Sequence, residues 1–171
     1  YSSTMEAFYF YGGDQTYNNI WITDSTGGVP VEFTGDNTFN DFKAEAGVGL
    51  IFEEESTTTV TTFTVSGTSG SLVTIDSDGA TQHTLSCASG TIECDYLDIS
   101  NSNATGGALW YAGWHSLDTT NNDGWIFRGF QSTTTTSTST SSSTSSSSTS
   151  TSSTTTAEGT TTSSSSTSTS T

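Results

Sequence analysis

Apolar-x-x-apolar-x-apolar, followed by small or polar residues, recurs four times in this chain. The copies are Tyr17-Asn18-Asn19-Ile20-Trp21-Ile22, Phe39-Asn40-Asp41-Phe42-Lys43-Ala44, Val60-Thr61-Thr62-Phe63-Thr64-Val65 and Cys94-Asp95-Tyr96-Leu97-Asp98-Ile99. Their centres, Ile20, Phe42, Phe63 and Leu97, lie 22, 21 and 34 residues apart. A unit of roughly 20 residues cannot bury an apolar face alone, but it can do so by stacking on copies of itself. Shorter apolar runs fall between the copies at Val31–Phe33, Val48–Phe52, Leu72–Ile75 and His83–Cys87. Two or three short strands per period describe a parallel β-solenoid with rungs about 4.8 Å apart. The expected inner columns are Ile20, Phe42, Phe63 and Leu97, then Ile22, Ala44, Val65 and Ile99. The longer last interval implies an outward loop or extra strand pair around Asp76–His83.

The residue types agree. Thr, Val, Ile, Phe and Tyr fill the short runs, helical periodicity is absent, and Pro30 is the single proline. These are strand formers. The alternative all-β arrangement is an antiparallel sandwich or jelly roll. Its hairpin signals are sparse, with no Asn-Gly and Asp-Gly only at Asp78-Gly79 and Asp123-Gly124.

Further motifs carry a resemblance. The run Asp36-Asn37-Thr38-Phe39-Asn40-Asp41-Phe42 and the run from Asp95 to Gly107 resemble rungs of right-handed parallel β-helix modules from bacterial surface, phage and extracellular fibre proteins. Trp110-Tyr111-Ala112-Gly113 and Asn121-Asn122-Asp123-Gly124-Trp125-Ile126-Phe127 extend the likeness, which covers roughly Val31 to Phe127. The resemblance implies a secreted or surface β-helix module, usually a piece of a larger fibre protein. It brings no shared catalytic residues, and a mucin-like Ser/Thr tail departs from it.

That tail runs from Ser132 to Thr171, every residue serine or threonine except Ala157, Glu158 and Gly159. With almost no apolar surface it cannot form a packed core. Dense hydroxyls in an exported protein read as an O-glycosylated stalk, beginning at Ser132, Thr133, Thr134, Thr135 and Thr136. Fully extended at about 3.3 Å per residue, such a tail would reach about 130 Å, enough to run along several neighbouring subunits. The chain thus divides into an aromatic N-terminal strand at 1–13, a β-helical domain at 14–130 and a low-complexity tail at 131–171.

Charge excludes several partners. Lys43 and Arg128 face 18 acidic residues, for a net charge of −16. Nucleic acid is recognised by releasing counterions with Lys and Arg, so it is excluded as a partner. Anionic lipid is disfavoured for the same reason, and no run of 18 apolar residues exists for a membrane helix. A start at Tyr1, without Met or a basic leader, reads as a mature exported chain, placing it outside the cell or on its surface. In such a compartment Cys87 and Cys94 form a candidate disulfide.

Phe8, Tyr9, Phe10 and Tyr11, followed by Gly12-Gly13, read as a cap or core strand or as candidate assembly residues: a solenoid end exposes unpaired main-chain groups, and an aromatic strand can pair with a neighbour. Contacts of that kind, repeated without closing, give a helical or head-to-tail polymer. Trp110, Trp114 and Trp125 are candidates for stacking sugar rings, or for plugging the last rung with Tyr111, Phe127 and Phe130. Asn103-Ala104-Thr105 is the single N-glycosylation sequon and is expected in a Gly-rich turn. Acidic stretches at Glu53–Glu55, Asp76–Gly79 and Asp118–Gly124 are oxygen-rich enough for Ca²⁺, without matching a known calcium loop. The two histidines, His83 and His115, sit in no nucleophile motif, and no other cofactor or enzyme activity is expected. The sequence therefore reads as a structural subunit of an extracellular glycosylated fibril, the alternative being a surface carbohydrate-binding or adhesive module on a stalk.

Overall fold

The computed structural model describes residues 8–23 and 28–129. The Ser/Thr tract, with Ser132, Thr133, Thr134, Thr135 and Thr136, lies outside these residues, as does Phe130. In chain order the strands are β1 (Phe8–Tyr11), β2 (Thr16–Ile22), β3 (Val31–Thr34), β4 (Asn37–Ala44), β5 (Gly49–Phe52), β6 (Thr57–Val65) and β7 (Val73–Ser77). Then follow β8 (His83–Cys87), β9 (Thr91–Glu93), β10 (Leu97–Ser100), β11 (Ser102–Gly106), β12 (Leu109–Tyr111), β13 (Leu117–Thr120) and β14 (Trp125–Ile126). They build three sheets, ordered β1-β3-β5-β7-β10-β13, β2-β4-β6-β8-β11 and β9-β12-β14. All strand pairs are parallel. Successive strands visit the faces in turn, so the chain coils into a parallel β-solenoid of about 5 turns. Among the described residues the antiparallel pairing is one bridge, Thr68 with Ser71, which rules out the sandwich alternative.

The x-x of the repeated pattern is a corner. Along β4 the inward residues are Asn37 and Phe39, then Phe42 and Ala44, so Asn40 and Asp41 both point outward between them. Two successive outward residues break the period-2 alternation of a strand and bend it. Polar residues stand at each corner, Asn18-Asn19, Asn40-Asp41 and Thr61-Thr62, and the three bends stack in register. A hydrogen bond from Thr62 Oγ1 to Asp41 Oδ1 joins two of them. Each long strand therefore lines two faces of the coil.

Inside, register converts sequence spacing into columns. Ile20, Phe42 and Phe63 align, as do Ile22, Ala44 and Val65. Phe10, Phe33 and Phe52 align on the first sheet. The Phe42 ring lies 5.5 Å from that of Phe33, 5.4 Å from Phe39 and 5.3 Å from Phe63. Such offset and edge-on pairs add about 0.5–1.5 kcal/mol each beyond simple burial.

The fourth copy belongs elsewhere. Leu97 pairs with Val73 and Ile99 with Ile75, placing both on the first sheet rather than below Phe63 and Val65. In that rung the long strand is split: β8 sets Cys87 under Val60, and β9 follows after Ala88-Ser89-Gly90. The expected outward loop is correspondingly small, since β7 extends to Ser77 and β8 starts at His83. An apolar-x-apolar triplet fits either sheet, and only the pairing partner decides which. Glycine allows the tight stacking of the later turns. Gly106 (φ 90°) and Gly124 (φ 74°) lie where a β-carbon would overlap the carbonyl oxygens of Cys87 and Ala104.

Candidate functional site: the open first rung and the side faces

β1 forms the edge of the six-stranded sheet and β2 that of the five-stranded sheet. Alternating main-chain groups of both face away from their single partner strand, the arrangement that accepts an added strand. Phe8 aligns with partly buried Val31 and, beyond it, buried Leu50, and Phe10 aligns with Phe33. Among the described residues no rung lies above them, and Phe8, Tyr9 and Tyr11 are 61%, 50% and 77% exposed, while Phe10 packs partly into the core. The Tyr9 and Tyr11 rings stack on the outside at 5.6 Å. Phe8–Tyr11 pair with β3 of their own chain, so they form the first described strand of the solenoid. A neighbour can use only their outer edge.

The opposite end is polar. β13 is exposed along its length, with Leu117 half-exposed and Asp118, Thr119 and Thr120 beside it. Asn122 secures this rung, donating to the Ile99 carbonyl at 2.7 Å and to Asp118 at 2.9 Å while accepting the Ser102 N–H at 3.1 Å. Asn121 donates to Asn101 Oδ1 at 3.0 Å.

The tryptophans divide. Trp110 and Trp125 are buried, their rings packed edge-to-face at 5.3 Å. Their indole N–H groups donate to the Thr105 carbonyl and the Ser102 hydroxyl. The expected sugar platform of Trp110, Trp114 and Trp125 is therefore not formed, because stacking on β9, β12 and β14 turns two of its members inward. Trp114 is exposed, and so is Trp21, which sequence reasoning absorbed into the repeat as an outward position. Alternation with inward Ile20 and Ile22 turns it to the outside.

Cys87 and Cys94 are both buried free thiols, and the expected disulfide is not formed. Cys87 sits under Val60, whereas the Cys94 thiol meets the Val65 main chain. The Cys87 thiol is directed at the Thr61 and Ser89 carbonyls, so the two thiols face different main-chain partners. Burial pushes the Cys94 thiol up to about 12. Asn103 lies in β11 between Thr84 and Asp123 rather than in a turn, half-buried and facing outward.

The acidic stretches act as main-chain acceptors between rungs. Asp36 Oδ1 accepts the Thr57 N–H at 2.6 Å, Asp78 Oδ1 that of Glu54 at 2.7 Å, and Glu53 Oε2 that of Gly35 at 2.5 Å. Among the described residues no group of three or more His, Cys, Asp or Glu is placed to hold a metal ion. Desolvation, with Asp78 and Glu53 nearby, holds Glu32 above the usual carboxylate range.

The histidines differ sharply. His83 is fully buried, stacked 4.5 Å from Phe52, with no hydrogen-bond partner for either ring nitrogen. Burial pushes it down to about 3. His115 is exposed, stacked on Tyr96 at 4.4 Å, with Nδ1 2.8 Å from Asp95 Oδ2. Desolvation would raise Asp95, but hydrogen bonds from the His115 ring, its N–H and the Tyr96 N–H outweigh it and hold the carboxylate low. The adjoining Ser116 hydroxyl donates to the Ala112 carbonyl and accepts the Leu97 N–H, so it is committed to holding a turn.

Comparison with protein-family models, curated proteins and solved structures returns no match to this chain.

Proposed function

We propose that this chain is a structural subunit of an extracellular, pilus-like filament, with no enzymatic activity. The observation that carries this reading is the first rung: two parallel edge strands, with exposed Phe8, Tyr9 and Tyr11 on one of them. Exposed parallel edges and aromatic anchors together favour addition of another copy. A first rung that is aromatic and a last rung that is polar make the contact directional, and a directional contact that does not close yields a filament. The coil is taken as right-handed, the hand of nearly all parallel β crossovers. The Ser/Thr tract supplies O-linked glycans along the filament, and Asn103 adds an outward-facing sequon. Covalent glycans and copies of the chain are thus its partners.

The test is electron microscopy of the native material with intact-mass analysis of the same sample. Filaments, and a mass per chain well above 17.8 kDa, are expected. Isolated particles at the bare-chain mass, at every concentration tried, would sink the reading.

A further inference from the structure

The chain has four tryptophans and two basic residues, and the structure sorts them into pairs. Trp110 and Trp125 are core, while Trp21 and Trp114 are 60% and 66% exposed. Each exposed tryptophan has one of the two cations beside it. Lys43 Nζ lies 4.1 Å from the centre of the Trp21 ring. Arg128 lines a pocket of about 400 Å³ with Trp114, Tyr111 and Gly129. The Trp114 indole lies so close over Gly129 that a β-carbon there would strike it, which fixes the ring without covering it.

Both pairs belong to one surface. Beyond the corner, β2, β4 and β6 carry Trp21, Lys43 and Thr64 in register on their outer side. A shallow groove lined by Thr62, Thr64, Thr91 and Glu93 continues this surface onto β9. Thr91 and Glu93 then align with Leu109 and Tyr111 of β12. The surface thus runs from Trp21 on the first rung to Tyr111 on the fifth, four steps or about 19 Å. The Lys43 cation over the Trp21 indole is worth about 0.5–1 kcal/mol, too little to account for leaving that large apolar ring in water.

We propose that this outer face is a binding site for an external acidic polysaccharide, a chain of sugar rings bearing carboxylates. Trp21 and Trp114 stack sugar rings near the two ends. Lys43 and Arg128 pair with carboxylates there, and the threonine hydroxyls between them bond ring hydroxyls. Asp41 is already occupied by Thr62 and by the Asn19 amide, oriented to donate to it at 3.1 Å. Glu93 stands between the two cations and keeps ligand carboxylates out of the middle. The overall charge of −16 opposes any anion, so stacking contacts are required to hold this one. The site works in a single subunit and does not depend on filament formation.

The experiment titrates the full-length chain, dilute enough to be monomeric, with an oligogalacturonate and with a neutral cello-oligosaccharide of equal length. Tryptophan fluorescence and calorimetry report binding. Saturable binding of the acidic oligomer alone is expected. Trp21→Ala, Trp114→Ala, Lys43→Gln and Arg128→Gln each weaken it about tenfold, the scale of one lost contact of about 1.4 kcal/mol. All four side chains are exposed, so unchanged thermal unfolding of each variant separates lost contact from lost fold. No binding, equal binding of the neutral oligomer, or binding indifferent to both tryptophan variants would overturn the proposal.

Discussion

The first three rungs and the later ones share one parallel coil but are filled differently. Phe10, Phe33, Phe39, Phe42, Phe52 and Phe63 interlock through the early rungs, with centroids 5.1 to 6.2 Å apart. The later rungs enclose Val73, Ile75, Leu85, Leu97 and Ile99 together with buried Ser77, His83 and Ser102. Parallel stacking fixes only that like positions align, and leaves their chemistry free. Early rungs repeat one large residue type, so each ring is packed by copies of itself. Later rungs mix aliphatic and aromatic sizes; both regions bury polar groups, Asn37, Ser56 and Thr58 in the early rungs and Ser77, His83 and Ser102 in the later ones, where the Trp125–Ser102 hydrogen bond at 3.0 Å supplies one partner.

Four substitutions and a change of pH probe that contrast. Phe42→Ala has the largest expected effect, a loss of about 3–5 kcal/mol in urea unfolding, since its fully buried ring touches four others. Ile99→Val in the later rungs is expected to cost about 0.5–1.5 kcal/mol. Because Ile99→Val removes only one methylene, a loss above about 1.5 kcal/mol would show that the later rungs tolerate a cavity no better than the early ones. Next comes acid. His83 is held near 3 in the folded chain against an ordinary 6.5, so below pH 6.5 the unfolded chain takes up a proton that the folded chain refuses. Stability should fall by about 1.4 kcal/mol per unit from pH 6.5 toward about 3 through this residue, with no effect above 6.5. His83→Leu should flatten that part of the acid limb, whereas an unchanged profile would show that the buried ring does not govern it. The smallest effect tests the outside. Thr16, Thr38, Thr59, Ser86 and Thr105 align as an outward column of hydroxyls through five successive strands. Thr38→Val should shift stability by no more than about 0.5 kcal/mol, because the exposed hydroxyl faces water. A larger loss would mean that the column itself holds the rungs together.

The same contrast explains what could be read before folding. Where Phe42 lies between Ile20 and Phe63, the interval of about one rung is visible as a repeat, and the columns follow from it. At Leu97 the motif recurs on a different sheet, because Ala88-Ser89-Gly90 splits the long strand and nothing in a triplet of apolar residues names its neighbour. The aromatic edge at Phe8–Tyr11 was legible, since four successive aromatics near a solenoid end have few places to go. The exposed tryptophans were not. Trp110 and Trp125 turn inward through strand pairings that a local window does not contain, whereas Trp21 faces out because it alternates with inward Ile20 and Ile22. The spacing of Cys87 and Cys94 suggested a bridge, but their inner columns are set by Val60 and Val65.

The in-register seating of β4 between β2 and β6 has a consequence for how such a chain can grow. A tandem duplication of one early period would meet, above and below, surfaces of the kind it already fits. Its phenylalanine would enter an existing row, its corner would fall on an existing corner, and the object would lengthen by about 4.8 Å. Length is then nearly decoupled from foldability, and genes encoding this architecture can gain or lose whole turns by unequal recombination while the two terminal surfaces stay as they are.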